Sequence, residues 1–201
     1  MKKLSKLSKS AIIALSLVGI SMAGVGTAAV AAGQAVNTNA PLSVLKQDHK
    51  VSDAVAIAQS KLTLAQAIAI AQKTVKGNVV SAEFDQEHHG ASSEFEVKLV
   101  KGDTEYEIKI DASTGKVTKA EQERMDADDL AEYKTMQQAK VSLNQAMQIA
   151  TQKYPGKLLE AEFDMEKGQA VYEIKIAQGT QVQKVVIDAN TGKIIATKTK
   201  S

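Results

Sequence analysis

Tyr106–Val117 reads YEIKIDASTGKV, and near the C-terminus Gln183–Ile194 reads QKVVIDANTGKI. In the first stretch Tyr106, Ile108 and Ile110 alternate with Glu107 and Lys109, the period of a strand with one apolar and one charged face. Asp111 then offers a carboxylate to backbone N–H groups two or three residues on. Gly115 can take φ > 0 where the chain reverses, and Lys116-Val117 opens a new extended segment. Asp188, Gly192 and Lys193-Ile194 repeat the arrangement. An aspartate beside glycine in such a turn caps the turn, so Asp111 and Asp188 are read as structural, with no metal or catalytic role.

Working outward, the whole unit is duplicated with a period near 79 residues, far longer than a solenoid repeat. The first copy spans residues 62–120 and the second 141–201. Each opens with a helix whose start fits a capping box, Thr63-x-x-Gln66 and Ser142-x-x-Gln145. Leu64, Ile68, Ala71 and Val75 form an apolar face, matched by Leu143, Met147, Ala150 and Tyr154. Gly77 and Pro155-Gly156 end the helices.

Strands follow. Val80, Ala82 and Phe84 point one way in the first, as do Leu159, Ala161 and Phe163. Phe95, Val97 and Leu99 repeat the pattern in the second, matched by Tyr172, Ile174 and Ile176. Gly102-Asp103 and Gly179-Thr180 supply hairpin turns, so the strands are antiparallel. The expected fold class is α+β: two tandem two-layer units, each a helix on a small antiparallel sheet, α-β-β-β with a short terminal strand.

A helix opening in a capping box, an F-E-V or Y-E-I strand and a closing D-x-x-T-G-K resemble the PepSY family, here in tandem. The resemblance implies a structural rather than catalytic module. PepSY domains occur in propeptides of thermolysin-like metallopeptidases and in exported bacterial proteins, so it implies protein binding and restraint of a peptidase. No HExxH motif occurs and no peptidase domain follows, so any inhibition is expected to act in trans.

The remaining segments fit export. Lys2, Lys3, Lys6 and Lys9 precede the apolar run Ala11–Ile20, and Ala29-Val30-Ala31 is an A-x-A cleavage site. Residues 1–32 are therefore expected to be a signal peptide cleaved after Ala31 or Ala32, leaving no stable membrane span. The chain has 25 basic and 23 acidic residues; losing four lysines turns a formal charge of +2 into −2. Nothing then calls for nucleic acid, and no aromatic is left over to stack bases. With no Cys, stability must come from packing. Residues 33–61 read as a spacer with a short helix, and residues 121–140 as an acidic helical linker whose apolar face is Met125, Leu130, Tyr133 and Met136.

Two clusters invite a metal reading. His88 and His89, with Asp85 and Glu87, sit where the first hairpin turns, but adjacent side chains on a strand point to opposite faces. Asp126, Asp128, Asp129 and Glu132 lack the glycine and ligand alternation of a calcium loop and read as a solvated helix face. Glu94, Glu96, Glu105 and Glu107 read as the wet face of a sheet. No nucleophile elbow or phosphate loop occurs. The expectation is a non-enzyme with no catalytic, cofactor or metal site. It is read as an exported, periplasmic or extracellular protein-binding module, with an envelope or secreted peptidase among the expected partners. The alternative is a small-ligand or metal-responsive envelope protein.

Overall fold

The computed structural model describes residues 13–14, 49–86 and 92–200 of the chain. Four helices, α1 (His49–Gln59), α2 (Leu64–Thr74), α3 (Ala127–Gln137) and α4 (Leu143–Lys153), alternate with runs of strands. A two-residue strand, β1 (Ile13–Ala14), lies beside β5. The first repeat supplies β2 (Asn78–Gln86), β3 (Ser93–Lys101), β4 (Thr104–Asp111) and β5 (Val117–Arg124). The second supplies β6 (Lys157–Glu166), β7 (Gln169–Gln178), β8 (Gln181–Asp188) and β9 (Ile194–Lys200). The fold is α+β, with a helix followed by strands in each of two units.

The capping boxes form as the sequence predicts. Thr63 Oγ1 accepts from the Gln66 amide and Gln66 Oε1 from the Thr63 amide; Ser142 and Gln145 do the same. Leu64, Ala67, Ile68 and Ala71 bury one face of α2, and Leu143, Ala146, Met147 and Ala150 the matching face of α4. Val75 and Tyr154, the C-cap residues, are partly buried and pack against the core as expected of these faces. Beneath the helices, Phe84 meets Phe95 edge-on at 5.2 Å between ring centroids, and Phe163 meets Tyr172 at 5.5 Å. These are the same pair in each repeat.

The two sheets are one. The strand order is β1-β5-β4-β3-β2-β6-β7-β8-β9, every neighbour antiparallel. β2 and β6, the first strands of the two repeats, pair edge to edge: Ser81 opposite Glu162, Ala82 opposite Ala161, Glu83 opposite Glu160. The edges that a separate two-layer unit would leave open here are thus closed by each other. Both strands carry the same β-bulge, at Val80 and at Leu159, and both bulged residues are fully buried.

The terminal strands are longer than expected. β5 runs eight residues to Arg124, so Glu121–Arg124, placed in the linker by sequence, belong to the sheet. β9 runs seven.

The helices α1 and α3 stand one repeat period apart in sequence; α1 crosses to the second repeat, and α3 bridges the two. α1 packs on β6, β7 and β8 of the second repeat as well as on β2. Lys157 Nζ donates to the carbonyls of Ile57 and Ala58 at 2.9 and 3.1 Å, and the Gln86 amide donates to Asp53 Oδ1. α3 leaves from the β3–β4 hairpin, where the Met125 amide donates to the Asp103 carbonyl. It passes the start of β2, where Asn78 Nδ2 donates to the Tyr133 hydroxyl at 2.6 Å, and it packs on β6. Its chain then reaches Val141, whose amide donates to Ala189 O at the end of β8. A single hydrophobic cluster joins Ala54 and Ile57 of α1, Tyr133 of α3 and the cores of both repeats.

Candidate functional site

The aspartates of the repeated motif bind their own turns. Asp111 Oδ1 accepts from the Thr114 hydroxyl (2.6 Å), the Ser113 hydroxyl (2.7 Å) and the amides of Thr114 and Ser113 (2.7 and 3.2 Å). Asp188 accepts from the hydroxyl and amide of Thr191 and the amide of Asn190, while Gln169 Nε2 donates to its second oxygen at 2.6 Å. These donors, the threonine hydroxyls first, hold both carboxyls down at about 2. Gly115 and Gly192 follow at φ 73° and 69°, which closes the turn. Four of these bonds fall on Asp111 Oδ1 and three on Asp188 Oδ1, all from the residue's own turn, which is the capping role.

The acidic linker departs from the sequence reading. Asp126 and Asp128 are exposed, and Asp126 caps α3 by accepting from the amides of Asp128 and Asp129. Asp129 and Glu132, expected on a solvated face, are buried. The capping box turns Asp129 back over the helix start, and α3 lies against the sheet end rather than standing in water. Glu105, expected on the wet face with Glu94, Glu96 and Glu107, is also buried, with only 6% of its side chain exposed. The other three keep the expected role, in a ladder of ion pairs. Lys109 reaches Glu94 at 2.5 Å and Glu96 at 3.5 Å, and Lys98 reaches Glu96 at 3.6 Å.

His88, His89 and Glu87 lie outside the described residues. Asp164, Glu166 and Glu173 of the second repeat, which sequence reasoning did not single out, bring one carboxylate oxygen each within 4.8 Å of one another. Lys184 already stands among them, 2.5 Å from Glu173 and 3.8 Å from Glu166. A shared hydrogen bond with Glu173 raises the Glu166 carboxyl, and Lys184 pairs with both residues.

Between the repeats lies a cleft of about 510 Å³, within the size range of ligand pockets. α2 gives it Gln72, β2 gives Asn78 and Val79, α3 gives Met136 and Gln137, and the first turn of α4 gives Asn144 and Gln145. Tyr172 closes its floor, held by a 2.7 Å bond from its hydroxyl to the Val141 carbonyl. The lining is carboxamide-rich, and Lys140 is its one charged residue. At the far rim of the sheet, no strand among the described residues pairs with the outer side of β9. Ile195, at a bulge in that strand, is 46% exposed.

A profile described as "Peptidase propeptide and YPEB domain" matches residues 61–121 and 140–198. The chain belongs to the PepSY family. Its two matched regions cover the two repeats and leave out α1 and α3. PepSY domains are generally non-catalytic modules of the peptidase-propeptide type. No curated protein matches the chain. In fold it is similar to a lipoprotein candidate from Clostridium difficile 630, solved by crystallography. The two share 24% identity over 70% of this chain and 95% of the other, with a TM-score of 0.45. Among the described residues no single helix is long and apolar enough to cross a membrane.

Proposed function

We propose that this tandem PepSY protein is a non-catalytic, exported protein-binding module that restrains a peptidase of the cell envelope or exterior by strand addition at β9. The observation that carries the reading is the β2–β6 seam: a PepSY sheet here already grows by accepting an extended antiparallel strand along its edge. β9 has no strand partner on its outer side among the described residues; the opposite edge, β5, is covered only by Ile13–Ala14 of the leader and is open too once the leader is removed. β9 offers the exposed Ile195 as an apolar anchor and Lys198 as a charge that favours an acidic segment. The family's association with peptidase propeptides supports a peptidase as the owner of that segment.

The test is inhibition. The exported chain, titrated into purified secreted metallopeptidase from its own source, should inhibit stoichiometrically. Thr197→Pro, which removes a backbone donor from β9, should abolish inhibition. Inhibition unchanged by that substitution, or none at any ratio, contradicts the proposal.

The amide-lined cleft favours a second reading, a receptor for a small uncharged ligand. Stabilisation of the chain by such a ligand, with no effect on any peptidase, distinguishes it. Export itself rests on the leader read from residues 1–32. An intact mass beginning at Ala32 or Gly33 supports it, and a membrane-bound species still carrying Met1 opposes it.

A further inference from the structure

Glu105 is a buried acid at a place where its counterpart in the second repeat is Val182. Val182 is 3% exposed and needs no partner. At Glu105 the same site must hold a carboxyl, and one of its oxygens, Oε2, has no hydrogen-bond partner. A buried polar atom left in this way is unfavourable, and far more so when the group is charged.

The surroundings offer little to hold that charge. Lys98 of β3 stands 3.9 Å away, but it also meets Glu96 at 3.6 Å and Glu107 at 4.0 Å. Glu107 lies on the same strand, Glu123 is directly opposite on β5, and Asp129 approaches from α3. One lysine thus faces a cluster dominated by acids. Burial, opposed by Lys98 and reinforced by Asp129, Glu107 and Glu123, lifts the carboxyl from an ordinary 4.5 to about 8. Asp129 of α3 is itself buried, so docked α3 sets one more acid against a charged Glu105 and not against a neutral one. α3 is also a wall of the inter-repeat cleft, through Met136 and Gln137.

We propose that α3 is a proton-dependent strap: with Glu105 neutral it lies latched across the end of the first repeat, and loss of that proton releases it from the sheet and widens the cleft. The first repeat carries the switch and the second does not, because only the first has an acid at this position. The inference is independent of the strand-addition proposal.

Amide hydrogen exchange of the exported chain, corrected for the intrinsic rate, reads the latch directly. Between pH 6 and 8 one proton is linked to release, so protection of α3 amides should fall about tenfold per pH unit. In Glu105→Gln, which cannot ionise, it should stay flat; should that variant fail to fold, Glu105→Val, copying Val182, serves instead. Amides of α4 and β7 should show no such slope. The proposal is overturned by a wild-type slope that persists in the variant, by a slope shared by α4 and β7, or by no slope in the wild type.

Discussion

Ala82 and Ala161 stand directly opposite each other across the β2–β6 seam, and they are the same position of the two repeats. The pairs on either side obey the same relation. Ser81 faces Glu162, the counterpart of Glu83, and Glu83 faces Glu160, the counterpart of Ser81. The seam is therefore a local two-fold axis inside one chain, the isologous arrangement of a symmetric dimer joined by its linker. Small side chains at the axis let the strands pair without crowding the helices above. The helices add to the join, α1 by packing on the second repeat and α3 by bridging β2 and β6.

Enlarging the axis should therefore affect both repeats. Ala82→Leu and Ala161→Leu are each expected to destabilise the chain by about 1–3 kcal/mol, the usual result of overpacking a filled core. Because the two residues are opposed, the double variant should depart from additivity by at least ~0.5 kcal/mol. Denaturant titration of the four proteins in a double-mutant cycle measures this; strict additivity would mean that the residues do not meet.

Gly156 and Gly77 should be unequal although they occupy the same position in the two repeats. A Cβ at Gly156 would lie 2.4 Å from the Ala177 carbonyl oxygen and 2.6 Å from Ile176 Cγ2. At Gly77 the nearest atom is the Val100 carbonyl oxygen at 2.9 Å. The nearest obstacle in each case is a backbone carbonyl oxygen, which cannot swing aside. Gly156→Ala is expected to cost roughly 2–4 kcal/mol and Gly77→Ala about half as much. Thermal denaturation in parallel checks the order, and an equal or reversed ranking opposes the packing described.

The turn aspartates set the acid limb of stability. Their carboxyls are lowered to about 2 in the folded chain, so the stability they contribute is complete above about pH 4 and is lost as pH falls toward 2. Asp111→Ala and Asp188→Ala should each lower the melting temperature by a few degrees at neutral pH. Each should also flatten the fall in melting temperature between pH 4 and 2. A variant with the wild-type acid profile would show that the turn hydrogen bonds contribute nothing.

Local chemistry was legible in the sequence and assembly was not. Thr63, Ser142, Asp111 and Asp188 act on residues two or three positions away, so their spacing alone reveals the caps and turns. The β2–β6 pairing leaves no such trace, because nothing in the alternation of Val80, Ala82 and Phe84 says which edge will be covered. That α1 and α3 stand one repeat period apart was hidden because Asp53–Gln59 and the matching Glu132–Gln138 share almost no residues. Alternation put Glu105 on the wet face with Glu107, and Asp129, one of the acids that act on it, comes from α3, more than twenty residues away. The available cue was the apolar spacing of Leu130, Tyr133 and Met136, which needed a surface to cover.

Calorimetry of the exported chain tests most directly the claim that the two repeats form one body. A shared sheet and two bridging helices predict a single heat-absorption peak with equal calorimetric and van't Hoff enthalpies. Two resolved transitions, or a calorimetric enthalpy near twice the van't Hoff value, would contradict it and leave two independent domains on a helical linker.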